Sequence, residues 1–230
     1  MSSHPGLVLA LLALPLAAQQ TRHHPARAVQ LEPVRDNTLY EDPLGGLSNG
    51  AGSHVFAGLT ESGGKRRALL AFDVASAVPA GAQVLGVKLT LHVTRTIAGP
   101  ETVSVHRALA DWGEGTSLAP GQEGGGAPAT AGDATWLHGF YPGTTWASPG
   151  GDFDALASAT RVIGFTGPQT YASAGLVADV QAWLDDPSSN HGWMLVGDEP
   201  IGGTGTAKRF GSRQGPVAFR PVLKIVYEDP

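Results

Sequence analysis

Three aromatic residues in a stretch rich in glycine, proline and threonine are the first candidates for contact with a ligand: Trp136, Tyr141 and Trp146. Aromatic rings on loops often serve as stacking platforms for sugars, because a sugar ring offers an apolar face to the π-system. Indoles can equally fill a core, and we expect Trp112 and Trp183 to do so. The sequence therefore predicts that Trp136, Tyr141 and Trp146 are exposed and bind a ligand.

A polar face on a predicted strand is the second candidate. Residues 87–93 alternate between apolar and polar types, which places Lys88 and His92 on the face opposite the core. His106 occupies the same kind of position in the following strand. If the two strands pair across the turn at residues 94–100, Lys88, His92 and His106 share one surface. That surface is either a binding platform or a solvated sheet face, and two histidines alone are weak support for a metal site.

Four carboxylates could hold a calcium ion. Asp152 and Asp154 follow two glycines, and Asp36 and Glu41 lie close to the first strand of the predicted domain. Hard oxygen ligands on glycine-supported loops suit Ca²⁺, so a structural calcium is the one cofactor that the sequence suggests. The alternative is that these aspartates bond the backbone of their own turns.

Three arginines could recognise an anion. Arg66, Arg67 and Arg213 each offer a forked guanidinium that matches a carboxylate or phosphate. They could instead pair with internal carboxylates such as Asp73 or Asp111. The sequence favours pairing with internal carboxylates but leaves both alternatives open.

Motifs for catalysis are not found in the sequence. It contains no Gly-x-Ser-x-Gly, no Gly-x-x-x-x-Gly-Lys-Ser/Thr and no His-Glu-x-x-His. Asp111 and Glu114 are close enough in sequence to be an acid/base pair, but we expect them to brace a loop. We therefore predict that the protein is not an enzyme.

Composition narrows the class of partner. The 230 residues include no cysteine, so a disulfide framework and a thiolate metal site are excluded. The formal net charge of −5 disfavours nucleic acid and acidic membrane surfaces, because both are bound through dense lysine and arginine patches. We expect no nucleic-acid partner.

The amino-terminal segment reads as a signal peptide. Residues 1–18 contain a short apolar run followed by proline and small residues, too short to span a bilayer. Residues 19–35 show no periodicity and predict a flexible leader, with an ordered domain over 36–230. The protein is thus expected to be secreted, with no membrane span.

Periodicity predicts an all-β fold. One amphipathic helix at 173–186 has Ser173 as its cap and Pro187 after it, and long loops include residues 113–135. The predicted strands, separated by glycine and proline turns, are 37–40, 54–58, 67–73, 84–93, 102–108, 161–165, 193–197, 208–212 and 222–227. This pattern is typical of an antiparallel jelly-roll β-sandwich with a single core.

Six ordered segments resemble a known family. They are DNTLYE at 36–41, RRALLAFD at 66–73, ADWGEGT at 110–116, VQAWL at 180–184, FGSR at 210–213 and RPVL at 220–223. Together they resemble the DNRLRE-type extracellular domain over nearly the whole predicted domain. The resemblance implies a jelly roll similar to carbohydrate-binding modules, some relatives of which resemble alginate-binding modules.

These observations lead to two functional hypotheses. The first is a secreted, non-catalytic module that binds an extracellular polysaccharide. The second is a structural surface, matrix or filament protein whose partners are copies of itself, because an unpaired leader over residues 19–34 can add as a strand to a neighbour.

Overall fold

The computed structural model describes residues 25–230, which fold mainly into antiparallel β-strands. The predicted signal peptide and the first part of the predicted leader lie outside these residues. One α-helix, α1 (Ala174–Asp185), and two 3-10 helices, Pro187–Ser189 and Val217–Phe219, complete the secondary structure. The strands are β1 (Arg27–Leu31), β2 (Arg35–Tyr40), β3 (Leu47–Ser48), β4 (His54–Leu59), β5 (Lys65–Ala71), β6 (Gln83–Thr96), β7 (Glu101–Arg107), β8 (Ala127–Pro128), β9 (His138–Phe140), β10 (Thr144–Thr145), β11 (Ala159–Ile163), β12 (Gly167–Tyr171), β13 (Trp193–Gly197), β14 (Lys208–Gly211) and β15 (Val222–Glu228).

Two sheets face each other across one core. The first, called here the open sheet, contains β1, β15, β6, β14 and β4, with β12 paired to the other side of β6. The second, the covered sheet, contains β2, β5, β13, β7 and β11. Strand β4 pairs with β14 and, at its end, with β5, so the two sheets join into one curled antiparallel sheet. The predicted all-β sandwich is confirmed.

Alternation along β6 shows how the sequence builds the core. Leu89, Leu91 and Val93 are fully buried between the sheets, whereas Lys88 faces outward and is exposed. A strand with one buried face produces this period of two. Apolar residues of α1, among them Trp183, complete the same core.

The outer face of the covered sheet is not free. In β13, Leu195 points into the main core, while Met194 points the other way and is also fully buried. Loop residues Trp112, Trp136 and Trp146 pack over that outer face in a second hydrophobic cluster. Over β6, the outer face of the open sheet carries the short 3-10 helix Val217–Phe219 together with exposed polar side chains such as Lys88 and Arg95.

Gly58 is the residue at which β4 passes from one sheet to the other. Its φ of 109° lies in a region of backbone conformation that residues other than glycine rarely adopt. A Cβ there would lie 2.9 Å from Ala207 Cα and 2.9 Å from Thr206 Oγ1, and a Cβ on Gly197 would lie 2.5 Å from Gly58 Cα. Two glycines thus let three backbone segments approach closely where the sheets meet.

The strand and helix predictions match the structure well. Each of the nine predicted strands overlaps an observed strand. The helix begins after Ser173, whose hydroxyl accepts a hydrogen bond from the Leu176 N–H, and Pro187 follows it. Within residues 25–230, neither α1 nor the two 3-10 helices have the length and apolar character needed to cross a membrane.

The predicted start of order near Arg35 is wrong. Strand β1 pairs along its whole length with β15, from Arg27 opposite Tyr227 to Leu31 opposite Leu223. An ion pair of 2.9 Å between Arg27 and Asp229 supports it. Alternation in this strand covers only Val29, Gln30 and Leu31, with Val29 and Leu31 packed against the core and Gln30 exposed, and so short a pattern gives periodicity little to detect.

Replacing Gly58 tests the crossing between the sheets. We expect Gly58→Ala to lower the free energy of unfolding by about 3 kcal/mol, because the new side chain adds backbone strain and steric overlap. Urea denaturation followed by circular dichroism measures this change. Gly99→Ala is the control, since nothing lies within 4 Å of a Cβ at that position, and it should change stability by less than about 0.5 kcal/mol. Equal stability of the two variants would contradict the proposed constraint.

Candidate functional site

A β-bulge in β6 turns an arginine out of the core. Val93 lies opposite Phe210 and Arg95 lies opposite Arg209, so Thr94 is an extra residue with no partner on β14. In an unbroken strand, Arg95 would share the inward face of Val93, because side chains alternate. The bulge reverses this orientation, and Arg95 is exposed on the outer face of the open sheet.

Three neighbouring strands bring an aromatic ring and two arginines into one row. Arg209 on β14 lies opposite Phe56 on β4 and opposite Arg95 on β6. Like charges directly opposite each other in an antiparallel pair destabilise a sheet. An anion bound between the two guanidiniums would remove that repulsion.

A third arginine reaches the row from the covered sheet. Arg66 on β5 lies opposite Gly58, at the point where β4 crosses between the sheets. Its guanidinium lies 4.8 Å from the centre of the Tyr40 ring, and its Nε donates a 3.0 Å hydrogen bond to the Gly124 carbonyl. Both contacts hold the head group in place without neutralising its charge.

The three arginines line a groove of about 460 Å³, called here the arginine groove. This volume suits a small ligand or a segment of a longer one. Its lining residues are Phe56, Thr60, Glu61, Ser62, Arg66, Arg95, Ile97, Gln122, Gly124, Ala207 and Arg209.

The guanidiniums of the groove lack a close carboxylate partner, although the Glu41 charge acts on Arg66 and the Glu123 charge acts on Arg209 from a greater distance. Among residues 25–230, no carboxylate oxygen lies within 4.0 Å of the guanidinium of Arg66, Arg95 or Arg209. Burial lowers the pKa of Arg66 from its usual value, and burial together with the nearby Arg95 charge lowers that of Arg209. An arginine stays protonated at neutral pH even so, and the site therefore holds three positive charges.

Arg67 and Arg213, by contrast, have internal partners. Arg67 Nε and Nη2 donate to the two carboxylate oxygens of Glu199 at 3.0 and 2.8 Å. Arg213 Nη1 donates to Glu114 Oε2 at 2.9 Å. Of the three arginines that the sequence suggested, Arg67 and Arg213 therefore pair with internal carboxylates, whereas Arg66 stays available to an anion. The internal acids are Glu199 and Glu114 rather than the suggested Asp73 and Asp111.

One wall of the groove is held by a buried carboxylate. Glu123 adopts a left-handed conformation with φ 65°, unusual for a residue other than glycine. Its carboxylate accepts hydrogen bonds from Asn49 Nδ2 at 3.0 Å and from the His54 backbone N–H at 2.9 Å. Burial alone would raise the pKa of Glu123, but the bonds from His54 and Asn49 outweigh it and lower that pKa. Next to it, Gln122 Oε1 accepts a 2.6 Å bond from Arg209.

The opposite wall is held by a buried lysine. Lys208 is fully buried and its Nζ donates to Thr96 Oγ1 at 2.7 Å and to the Gly99 carbonyl at 2.8 Å. These bonds fix the turn after β6, which carries Ile97. Burial lowers the pKa of Lys208, and the three oxygen acceptors around its Nζ, which include the Ala98 carbonyl, satisfy the ammonium donors.

Cationic residues outnumber acidic ones in the strands of the open sheet, although the chain has a net charge of −5. Lys88 on β6 lies opposite Lys224 on β15, a second pair of like charges, and both side chains are exposed. Glu228, near the far end of β15, is the sole acidic residue in the strands of this sheet, β1, β4, β6, β12, β14 and β15. Such a surface attracts anions over a distance.

The predicted exposure of the indoles is wrong. Trp136 and Trp146 are each only 6% exposed, because they pack in the cluster that covers the outer sheet face. Trp146 also donates a 2.9 Å hydrogen bond to the Thr135 carbonyl. Tyr141 is half-buried, with its ring edge-on to His138 at 5.2 Å. The three residues do not form an open ledge.

The predicted common surface of Lys88, His92 and His106 is also wrong. Strands β6 and β7 do not pair across their turn, since β7 pairs with β13 and β11 in the other sheet. His106 is 9% exposed, and its Nδ1 lies 2.8 Å from the Asp154 carbonyl oxygen. Lys88 and His92 stay together on the outer face of the open sheet, apart from His106.

The four predicted calcium ligands accept hydrogen bonds from backbone N–H groups of the protein itself. Asp152 accepts bonds from two backbone N–H groups of its own turn, Asp154 from one, and Glu41 from the Lys65 N–H. Asp36 lies elsewhere, in a cluster described below. Within the described part of the chain, no group of three or more histidine, aspartate and glutamate side chains is placed to hold a metal ion.

Asp36 belongs to a buried lock between three segments. It is 1% exposed, its Oδ2 accepts a 2.6 Å bond from the Arg213 backbone N–H, and its own N–H donates to Glu114 Oε1 at 2.9 Å. Burial raises the pKa of Asp36 to about 8; the Arg213 bond opposes this shift and the Glu114 charge adds to it. Asp111 pairs with Arg35 at 2.5 Å. Glu114 therefore braces a loop, and neither Asp111 nor Glu114 lines the arginine groove.

Arg95, Arg209 and Phe56 were missed by sequence reasoning. The bulge that turns Arg95 outward leaves no mark in the amino-acid pattern. The strands of the open sheet contain few acidic residues, which could have indicated an anion-binding face. That signal becomes visible only once it is known which strands pair into one sheet.

No protein-family model matches the chain, and no curated protein matches it in sequence. The resemblance to the DNRLRE-type domain therefore stays a prediction.

Replacing Asp36 tests the buried lock. Its raised pKa means that the folded state keeps a proton which the unfolded state, with a pKa of 3.8, has lost, so this group lowers the free energy of unfolding as pH rises from about 4 to 8. Asp36→Asn removes that titration. We therefore expect the stability of the variant relative to the parent to increase with pH across this window, measured by urea denaturation at several pH values.

A neutral substitution supplies the control. Leu118→Ala removes an exposed side chain that carries no titratable group, and its stability difference from the parent should stay constant over the same pH range. A parallel rise in both variants, or none for Asp36→Asn, would contradict the assignment of the proton to Asp36.

Proposed function

We propose that the protein is a secreted, non-catalytic module that binds an acidic polysaccharide through the arginine groove. The observation that carries this proposal is the convergence of Arg66, Arg95 and Arg209, three guanidiniums without carboxylate partners in residues 25–230. Repulsion between neighbouring cations costs folding free energy. A bound polyanion would offset that repulsion, so the three arginines are arranged as expected for an anion-binding site.

The lining of the groove suits an acid-bearing sugar. Guanidinium groups match carboxylate and sulfate oxygens by paired hydrogen bonds. Phe56 and Ile97 offer apolar surface to the C–H face of a ring, and Gln122 offers an amide to hydroxyl groups. A simple inorganic anion would use the charges but not the apolar surface.

The two carboxylates that the sequence offered as an acid/base pair lie away from the groove, which supports a binding role for it. Asp111 and Glu114 are held by Arg35 and Arg213 and lie outside the groove. Glu61 is the one acidic residue that lines the groove, and a glycosidase that cleaves with two carboxyl groups needs a pair.

The alternative, self-association through the leader, is less well supported. Residues 27–31 of that leader already pair with β15 of the same chain, so they do not offer a free strand to a neighbour. Light scattering separates the two functions: assembly of the purified protein without affinity for any acidic glycan would favour the structural role.

Removing single charges from the groove tests the proposal. Arg95→Ala and Arg209→Ala should each weaken binding to an acidic polysaccharide such as polygalacturonate by about tenfold or more, because each removes a charged hydrogen-bond donor. Calorimetry or surface plasmon resonance measures the affinity. Raising the salt concentration should weaken the parent protein further, since part of the attraction is electrostatic.

Arg107→Ala is the matched control. It removes an equal charge from β7 of the covered sheet, where Arg107 lies 3.8 Å from Asp154. Unchanged binding in this variant would locate the ligand at the groove. Equal losses in all three variants, or binding of neutral and acidic glycans alike, would overturn the proposal.

A further inference from the structure

A second cavity adjoins the arginine groove on the outer face of the open sheet. It has a volume of about 540 Å³, and Arg209 lines both cavities. Its other lining residues include Ser53, His92, Thr166 and Phe219. The two cavities are therefore neighbouring compartments of one surface, on either side of a single guanidinium.

An aromatic pair forms one wall of this second cavity. The rings of His92 and Phe219 lie 4.3 Å apart between centres, with 34° between their planes. Both side chains are half-buried, so each keeps some surface open. At this separation the two rings stack on each other at a tilt, and the ring surface that stays open, called here the aromatic platform, can pack against a ligand ring.

The platform is held in place by the backbone beneath it. Phe219 ends the 3-10 helix Val217–Phe219, and its N–H donates a 2.8 Å bond to the Pro216 carbonyl. Gly211 permits this helix to lie directly against β14, because a Cβ there would collide with the Phe219 backbone. Arg220 Nε donates a 3.1 Å bond to the Gly215 carbonyl and closes the turn. The ring is therefore positioned before any ligand arrives.

The separation of the two compartments limits the class of ligand. His92 and Arg95 are three residues apart on β6, which is about 10 Å along a regular strand and somewhat less across the bulge at Thr94. A lone carboxylate or phosphate cannot reach both. A chain of linked rings can place an acidic ring between the arginines and lay the next ring on the aromatic platform.

We propose that His92 and Phe219 form a stacking subsite for a sugar ring adjacent to the acidic sugar held in the arginine groove. This inference deepens the proposed function and rests on it. It assigns the ligand to polymers of sugar rings that carry acid groups, as opposed to polyanions without rings, such as polyphosphate. The hydroxyls of Ser53 and Thr166 offer hydrogen bonds to the hydroxyls of the stacked ring.

The test compares ligand length and ligand type in Phe219→Ala. Oligogalacturonates of increasing length and inorganic polyphosphate serve as probes, with affinities measured by calorimetry. For the parent protein, affinity should rise when the oligomer becomes long enough to reach from Arg95 to Phe219. The variant should lose that gain, with about five- to tenfold weaker binding of long oligomers, while its binding of the monosaccharide and of polyphosphate stays the same.

Two further variants show whether the loss of binding comes from removal of the Phe219 ring. Val217→Ala alters a residue of the same 3-10 helix that is 70% exposed and lies outside both cavities, and it should bind every probe as the parent does. Phe219→Leu keeps an apolar side chain for packing but removes the ring, so it should lose the same length-dependent gain even if Phe219→Ala folds poorly.

The outcomes separate the two proposals. Length-dependent binding that survives in both Phe219 variants, or an equal loss for polyphosphate, would overturn the stacking subsite and leave the arginine groove intact. A parent protein that binds neither oligogalacturonate nor polygalacturonate would overturn the proposed function itself.

Discussion

Strand β4 belongs to both sheets, and the close backbone approach at Gly58 is the constraint on which the rest of the molecule depends. Without side chains at Gly58 and Gly197, the strand bends into the second sheet while β14 and β13 stay within van der Waals reach. The bend closes the sandwich over its core. It also brings Arg66 of one sheet beside Arg209 of the other, so the same feature that completes the fold assembles the charged groove.

The two outer faces of the sandwich have opposite character. Loops rich in aromatic residues cover one face and convert it into a second core, whereas the other face keeps exposed cations along β6 and its neighbours. Like-charge pairs such as Arg95 with Arg209 reduce the stability of the sheet that carries them. The large buried core between the sheets offsets this cost. The free energy gained by packing in one part of the molecule therefore sustains an unfavourable charge arrangement in another.

More of the fold than of the candidate site could be predicted from the sequence. Strands with one buried face, such as β6, carry their orientation in an alternation that needs no partner to be recognised. The two ends of the helix were predicted equally well, by Ser173 as the cap and by Pro187 after the last turn. The groove was not, because it depends on which strands pair, on a bulge at Thr94 and on the crossing at Gly58, all of which are long-range features. Trp136 and Trp146 misled for a related reason: a loop that folds back over a sheet buries its aromatic residues, and composition alone cannot distinguish it from a loop that projects into solvent.

The placement of the tryptophans has a practical consequence. All five are at least 94% buried, and none lines the arginine groove or the adjoining cavity. Their intrinsic fluorescence therefore reports the integrity of the two cores and is insensitive to what occupies the cationic face. Emission and ligand occupancy become independent signals, so damage to the fold and damage to the binding surface can be told apart in a single sample.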